Sequence, residues 1–224
     1  MSADGVTTLC WDIDGTLLTT GRAGILALES AFEEVVGRPV DLTELVASGL
    51  TEHEVAHAVF SVAQFDADDQ LLERFLRSYE RHLPAALPRR HGRVLPGVRD
   101  VLEDLSPRTD VRNLILTGNT PAGARAKLAH YGLLEFFADG AYCVGPEPRT
   151  EIALRAASLA DGSRSFYVIG DTPNDIACGK AIGARTIAVA TGSHDRAELS
   201  RHDPWRVISE IPDPQTFRSL VGIS

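Results

Sequence analysis

The spacing of apolar positions divides the sequence into two kinds of segment. Between residue 18 and about residue 90, apolar residues recur at the intervals of amphipathic helices, and no strand pattern interrupts them. Before and after that region, short apolar runs that favour strands alternate with helical patterns. Strands that alternate with helices predict a parallel sheet covered by helices. We therefore expect an α/β core that carries an inserted helical segment.

The predicted fold is a Rossmann-like, doubly wound parallel sheet with an all-helical cap domain. Residues 1–17 and 91–224 are assigned to the core, and residues 18–90 to the cap. Cap helices are predicted over 24–36, 51–62 and 67–82. Core strands are predicted before residue 12 and over 112–117, 141–144, 165–170, 186–190 and 207–208, and core helices over 96–105, 121–131, 150–159, 174–182 and 214–221.

Two carboxylates stand where the first predicted strand ends. The apolar run TTLCW is followed by Asp12, Ile13, Asp14, Gly15 and Thr16. Alternate residues of a strand project to the same side, so the two aspartates come close together, although such a pair could also be a solvated strand end. Close carboxylates repel each other unless a cation or a shared proton compensates. Gly15 permits a tight turn, and Thr16 offers a hydroxyl and a backbone N–H to whatever the carboxylates bind.

Another predicted strand ends in a hydroxyl, a glycine and an amide. Residues 114–116 lead into Thr117, Gly118 and Asn119. Threonine and asparagine are good helix N-caps, so one interpretation is purely structural. The functional interpretation places the Thr117 hydroxyl and the neighbouring backbone N–H groups on a bound anion. Ligands of parallel sheets bind beyond the carboxyl ends of the strands, which is where this motif lies.

A third strand end adds two more carboxylates. Residues 168–170 lead into Asp171 and, across a tight turn, Asp175. Together with Asp12 and Asp14 they place four acids at one sheet edge, which they could not share without a hard cation. Carboxylate, carbonyl and water oxygens are the ligands that suit Mg²⁺. We predict a magnesium site formed by these four residues.

Composition narrows the classes of partner and compartment. The chain of 224 residues has a formal net charge of −9 and no basic stretch, which argues against a nucleic-acid partner. No apolar run approaches the length of about 18 residues that spans a bilayer. Residues 1–5 carry no export signal, and three widely spaced cysteines, Cys10, Cys143 and Cys178, are expected to be reduced and buried. A cytoplasmic protein is expected, and its oligomeric state is not predicted.

The string DIDGTL, followed by the Thr117 and Asp171 motifs in this order, resembles the haloacid dehalogenase-like hydrolases. The GDxxxD form of the last motif resembles the phosphoglycolate phosphatase-like branch. The resemblance implies a nucleophilic Asp12, a general acid–base Asp14 and a Thr117 that binds the phosphoryl group. It implies Mg²⁺ held by Asp12, the Asp14 carbonyl oxygen and Asp171, with Asp175 in support. Substrate contacts are expected from Gly15, Thr16, Gly118 and Asn119.

One position departs from the family pattern. Members usually carry a lysine before the helix that precedes the last motif, whereas the strict register here places Glu147 at that position. Arg149 lies two residues further on and is our candidate replacement. Lys127 and Lys180 each lie about two helical turns from the start of a predicted helix, roughly 9–11 Å away, so both are expected to miss the site.

The cap carries weaker signals. Thr51 and Arg22 are candidate substrate contacts, because the segment before Thr51 corresponds to the place where related caps reach the substrate. His53 and His57 have the spacing of a metal pair, but without a third ligand they are expected to be solvated. Residues 191–194 follow the last core strand and are expected to close the rim of the site.

The resulting hypothesis is a Mg²⁺-dependent phosphatase that acts on a small phosphorylated metabolite, such as phosphoglycolate or a sugar phosphate. Asp14 argues against dehalogenation, which does not need a second aspartate. The absence of lysine from residues 18–90 argues against phosphonate cleavage, which uses a cap lysine in this family. Two alternatives stay open: a phosphosugar mutase, and a weakly active or non-catalytic protein that binds phosphate or a partner.

Overall fold

The computed structural model describes residues 5–223; residues 1–4, which include most of the segment inspected for an export signal, lie outside the described residues. The strands, in chain order, are β1 (Thr7–Trp11), β2 (Leu18–Thr19), β3 (Arg93–Val94), β4 (Val111–Leu116), β5 (Asp139–Ala141), β6 (Ser165–Gly170), β7 (Arg185–Val189) and β8 (Arg206–Ile208). The helices are α1 (Ala23–Val36), α2 (Glu52–Val62), α3 (Asp69–Ala86), α4 (Val98–Leu105), α5 (Pro121–His130), α6 (Arg149–Leu159), α7 (Pro173–Ala181), α8 (Arg196–Ser200) and α9 (Pro214–Val221).

Six strands form one sheet in the order β5-β4-β1-β6-β7-β8, and every pairing in it is parallel. The prediction of a doubly wound α/β fold is confirmed. Strand β1 lies in the centre and is buried along its whole length, with Trp11 aligned with Ile115 of β4 and with Ile169 of β6. The carboxyl ends of these three strands therefore meet at one edge of the sheet, where the polar motifs follow.

Helices α1, α2 and α3 pack around a hydrophobic cluster of their own. Its centre is aromatic, with the rings of Phe60 and Phe75 5.3 Å apart and that of Phe32 5.2 Å from Phe60. A separate cluster contains Trp11 and covers one face of the sheet, where its ring stacks on Phe217 of α9. The two groups of elements have separate cores, and the cap cluster meets the core at Ala126 of α5 and at Tyr131 just after that helix.

Strands β2 and β3 form a short antiparallel ribbon where the chain leaves the core and returns. Strand β2 lies inside the region predicted to be wholly helical. The two connecting segments run side by side, and each satisfies backbone groups of the other, which local periodicity could not indicate. The ribbon joins the cap to the core.

Two other element boundaries differ from the prediction. Helix α3 continues through Pro84 to Ala86, although Pro84 was predicted to begin the linker, because Leu83, Ala86 and Leu87 are buried in the cap cluster. Strand β5 covers residues 139–141 instead of 141–144, since β4 pairs with it from Leu114 onward.

All three cysteines are buried and free of disulfides, as expected from their spacing. Within residues 5–223, no helix is both long and apolar enough to cross a bilayer.

Candidate active site

Three buried carboxylates meet beyond the carboxyl end of β1. Asp12 follows β1, Asp171 follows β6, and Asp175 lies in the first turn of α7; one oxygen from each lies within 4.8 Å of the others. Burial raises the pKa of Asp12, and the charge of Asp175 raises it further. Burial likewise raises the pKa of Asp171, with further contributions from Asp175 and Asp12. Ionised together, these groups need a positive charge beside them.

The surroundings of Asp171 suit a hard cation. The Thr16 hydroxyl donates to Asp171 Oδ1 at 3.1 Å, so this side chain orients a carboxylate and does not line the cavity. A Cβ at Gly15, whose φ is +85°, or at Gly192 would overlap the Asp171 carboxylate. The chain packs closely around the Asp171 carboxylate, so the potential metal ligands here are carboxylate oxygens. The pKa values of Asp12 and Asp171 are raised. The residues present therefore fit Mg²⁺.

Asp175 has a different set of contacts from the other two acids. Its Oδ2 accepts from the backbone N–H and the hydroxyl of Thr172 at 3.0 and 2.7 Å, which closes the N-terminus of α7. Its Oδ1 accepts from Arg149 Nη2 at 2.7 Å. Since both oxygens already have donors, Asp175 is placed to hold Arg149 more than to bind a metal directly.

Arg149, the first residue of α6, reaches into the acidic cluster. Its Nη2 lies 3.6 Å from Asp12 Oδ1, and its side chain is only 9% exposed. Burial lowers the pKa of this guanidinium, but Asp175 and Asp12 outweigh burial and raise the pKa overall. Glu147 points elsewhere and pairs with Arg155. Arg149 therefore brings a positive charge beside Asp12 and Asp175.

Lys127 also reaches the site, so the prediction that it misses the site is wrong. Its Nζ donates to Asp14 Oδ2 at 2.6 Å and to Asn119 Oδ1. The estimate from helix rise neglected the side chain, which in a helix projects back toward the N-terminus and covers the remaining distance. Lys180 behaves as predicted, since it is half-exposed and donates to the carbonyl oxygen of His202.

Asp14 is held by two donors on one oxygen. Besides Lys127, Asn119 Nδ2 donates to Asp14 Oδ2 at 2.9 Å. The Asp14 side chain is 42% exposed, in contrast to buried Asp12. Both of these hydrogen bonds end on Oδ2, and the side chain as a whole stays partly open to solvent.

A cap acid that the sequence analysis did not single out lies beside this network. Glu52, the first residue of α2, accepts from the backbone N–H of Thr120 at 2.8 Å through Oε2, and its own N–H donates to Gly118 O at 2.8 Å. Burial raises the pKa of Glu52, and the nearby charge of Lys127 opposes that rise. In the sequence, an acid in a first helical turn indicates only a favourable helix terminus, so this contact could not be predicted.

Thr117 and Gly118 lie where their motif predicts, beyond β4. The Thr117 hydroxyl oxygen accepts from Asn119 N–H and Nδ2 at 3.3 and 2.8 Å, which leaves its own hydrogen to donate toward the cavity that it lines. Gly118 contacts the cap loop, and a Cβ there would press on the Leu50 carbonyl oxygen. Both backbone and hydroxyl groups of this motif therefore face the boundary between cap and core.

The two cap candidates have different positions. Thr51 is fully buried, and its hydroxyl exchanges hydrogen bonds with Glu54 in a capping box, so the structure does not bring its side chain to the cavity. Arg22 lines the cavity, but its Nη2 donates to the carbonyl oxygens of Leu42 and Thr43 at 3.2 and 2.6 Å. Only Arg22 of this pair can meet a ligand.

The cap loop closes over the site from above. Gly49, with φ +77°, accepts through its carbonyl oxygen from Arg149 Nη1 at 3.1 Å and from Asn174 Nδ2 at 2.7 Å. At the rim, Thr191 donates to Gly15 O at 2.6 Å, and the hydroxyls of Ser193 and Ser48 lie 3.0 Å apart. These contacts enclose a cavity of about 410 Å³ between cap and core, a size that suits a small-molecule ligand.

Comparison with known proteins agrees with this arrangement. Residues 6–183 match the model of a family described as haloacid dehalogenase-like hydrolase. A phosphoglycolate phosphatase of Cereibacter sphaeroides is 30% identical over 91% of this chain and 94% of its own, and the pyrophosphatase PpaX of Halalkalibacterium halodurans is 26% identical over 97% and 98%. The crystal structure of CbbY from Rhodobacter sphaeroides in complex with phosphate superposes with a TM-score of 0.74 at 18% identity, covering 92% of this chain and 95% of that one.

Proposed function

Since the chain belongs to the haloacid dehalogenase-like hydrolases, we propose that it is a Mg²⁺-dependent phosphatase that hydrolyses a small phosphate monoester through an aspartyl-phosphate on Asp12. The observation that carries the proposal is the buried cluster of Asp12, Asp171 and Asp175 with Arg149 beside it, open to an enclosed cavity. Buried carboxylates that repel each other destabilise a fold unless they bind something. An anionic substrate with its cation would supply that compensation.

Asp12 is the nucleophile of the first step. A carboxylate oxygen of Asp12 attacks phosphorus, and the bond from phosphorus to the ester oxygen breaks. Asp14 Oδ1 gives its proton to the leaving alkoxide, while Lys127 and Asn119 hold Oδ2 in place. In the second step Asp14 takes a proton from water, whose oxygen attacks the phosphorus of the aspartyl-phosphate and releases inorganic phosphate and free Asp12.

The transferred phosphoryl group is stabilised by charge and by donors. The Arg149 guanidinium beside Asp12 is placed to meet the phosphoryl oxygens. The Thr117 hydroxyl would donate to them from the end of the neighbouring strand β4. The backbone N–H of Gly118 would add to this binding, whereas the Gly15 N–H already donates to the Leu18 carbonyl oxygen at 2.9 Å. Mg²⁺, when bound by the carboxylates of Asp12 and Asp171 and the Asp14 carbonyl oxygen, would offset phosphoryl charge.

The metal proposal predicts a stability effect that does not depend on turnover. Mg²⁺ at about 100 times its dissociation constant is expected to raise the free energy of unfolding by about 2.7 kcal/mol. Asp171→Asn is expected to remove most of that increase and the phosphate release, because it removes one buried anionic ligand. The measurements are thermal unfolding and phosphate release from a panel of phosphomonoesters, each with Mg²⁺ and with chelator.

Asp203→Asn is the matched control, since the Asp203 side chain is 96% exposed and does not line the cavity. That variant is expected to keep the full response to Mg²⁺. Equal responses of wild type and Asp171→Asn would contradict the proposed metal site. Phosphate release that survives chelation would contradict the dependence on Mg²⁺.

Lys127 is proposed as a positioning residue that acts through Asp14. Lys127→Met is expected to lower kcat by about 10–100-fold with a smaller change in KM, because Asp14 loses a fixed partner for Oδ2. The free energy of unfolding is expected to fall by about 1–3 kcal/mol, less than for a fully buried pair, because the Asp14 side chain is 42% exposed. Steady-state kinetics and urea unfolding measure the two effects.

Lys180→Met is the natural control, since Lys180 is the other lysine of the chain, is 52% exposed and does not line the cavity. We expect that variant to retain wild-type kcat. A Lys127→Met protein with unchanged kcat would remove Lys127 from the mechanism.

The reaction proposed here leaves the identity of the leaving group open. Phosphoglycolate and sugar phosphates, the substrates expected from the sequence resemblance, present the same phosphoryl group to Asp12. A small-molecule substrate and action in the cytoplasm both stay part of the proposal.

A further inference from the structure

The cavity has two chemically different halves. Its floor on the core side is polar and charged, and contains the groups assigned above to the phosphoryl site. Its wall on the cap side is formed by apolar side chains from α1, α2 and α3, namely Ile25, Leu28, Val55, Leu76 and the ring of Tyr79. A substrate whose phosphoryl group lies on Asp12 would direct its leaving group toward this wall.

Among the described residues, the cap side offers no buried cation to pair with a second anion. Among the described residues that line the cavity, the cationic ones are Arg22, Lys127 and Arg149. Lys127 is bound to Asp14 and Asn119, and Arg149 to Asp175 and the Gly49 carbonyl oxygen. Arg22 donates through Nη2 to two backbone carbonyl oxygens, and its side chain is exposed, where pairing with an anion contributes little binding energy.

An acid lies on the cap side instead. Glu52 lines the cavity, is 8% exposed, and its Oε1 has no hydrogen-bond partner among the described residues. Burial raises the pKa of Tyr79, and the nearby charge of Glu52 raises it further. A carboxylate on the leaving group would therefore meet a second buried carboxylate and apolar carbon, and would lose water without gaining a partner.

We infer that the substrate is a phosphate monoester of an apolar alcohol that carries no second anionic group. This inference rests on the proposed function, because it takes the core side of the cavity as the phosphoryl site. Apolar leaving groups would displace water from Ile25, Leu28, Val55 and Leu76.

A pair of esters of the same shape isolates the charge. Phosphoglycolate and isobutyl phosphate share the O–CH₂ link and a planar or branched end of similar size, and they differ in carrying a carboxylate or two methyl groups. Binding of each to Asp12→Asn protein with Mg²⁺ is measured by titration calorimetry, so that turnover does not interfere. Isobutyl phosphate is expected to bind at least about tenfold more tightly, the scale by which pocket contacts of this size discriminate.

A substitution in the cap tests whether this wall sets the preference. Ile25 is half-buried on α1, so a longer side chain can be accommodated there. In the Asp12→Asn background, Ile25→Lys is expected to raise the affinity for phosphoglycolate at least several-fold, because the ammonium group would pair with the carboxylate of this ligand. The same substitution is expected to lower the affinity for isobutyl phosphate. Ile25→Met keeps the wall apolar and is expected to preserve the original order.

The Arg22→Met variant tests the main competing explanation, in which Arg22 binds a carboxylate of the substrate. Were Arg22 a carboxylate clamp, this variant would lose affinity for phosphoglycolate selectively. The inference expects no selective loss, because the guanidinium is engaged by backbone carbonyls. A selective loss would overturn it.

The remaining outcomes distinguish a failure of the inference from a failure of the proposed function. Tighter binding of phosphoglycolate than of isobutyl phosphate, or binding of neither, would overturn the inference, as would an unchanged preference in Ile25→Lys. Phosphate release is measured for wild type on the same esters. Release of phosphate with preference for phosphoglycolate would leave the proposed phosphatase standing without the inference. Tighter binding of isobutyl phosphate without release from any ester would support the apolar site and contradict the phosphatase.

Discussion

Asp12→Asn is expected to lower phosphate release by at least about 10³–10⁴-fold, the scale on which loss of a nucleophile acts. Asparagine keeps the shape of the side chain but cannot form the aspartyl-phosphate. Asp12 is buried beside Asp171 and Asp175, so no other carboxylate can take its place without moving the strand end. The measurement is phosphate release with Mg²⁺ from the preferred ester of the panel.

The same substitution is expected to stabilise the metal-free protein. Burial and the Asp175 charge raise the pKa of Asp12, which means that its ionised form is disfavoured in the fold. Removing that charge is expected to raise the free energy of unfolding on the order of 1–3 kcal/mol in chelator. Asp203→Asn again serves as the control and is expected to change neither quantity. Wild-type turnover in Asp12→Asn would rule out the mechanism, and a large loss of stability would contradict the description of the acidic cluster.

Arg149→Met is expected to produce the second-largest effect. Its guanidinium is the cation nearest to Asp12 among the described residues, and loss of such a preorganised charge typically costs about 10²–10³-fold in kcat. The variant also leaves Asp175 buried without its ionic partner, which is expected to lower the free energy of unfolding by about 3–5 kcal/mol. Kinetics and urea unfolding measure the two effects.

A double variant separates the chemical effect from the structural one. Arg149→Met combined with Asp175→Asn is expected to recover much of the stability, because the unpaired charge is gone, but none of the activity. Arg155→Met is the matched control, since Arg155 lies on the same helix and pairs with Glu147 in a partly exposed contact. Activity that returns with stability in the double variant would show that Arg149 acts only as a support for the fold.

The position of the acidic cluster was predictable because parallel pairing imposes it. Asp12, Thr117 and Asp171 each follow an apolar run, and neighbouring parallel strands end at the same edge. Arg149 could be proposed because only two residues separate it from the position of the expected lysine. Its ion pair with Asp175 could not be foreseen, since a capping acid and a metal ligand have the same sequence signal.

Lys127 and Glu52 show where local patterns stop being informative. The reach of Lys127 depends on how closely the start of α5 approaches the end of β1, and helix rise alone does not contain that distance. Glu52 meets Thr120 only because the cap closes over the core, which joins residues 68 positions apart. Thr51 caps helix α2, and that use of its hydroxyl is the reason that it does not contact the cavity.

The most direct measurement of the central claim is to trap the intermediate. Wild-type protein is mixed with a ³²P-labelled ester and Mg²⁺, quenched in acid within the first turnover, and digested to locate the label. The account predicts acid-stable, hydroxylamine-sensitive label on the peptide that contains Asp12, and none in Asp12→Asn protein. Steady hydrolysis of the ester with no label on Asp12 would contradict it.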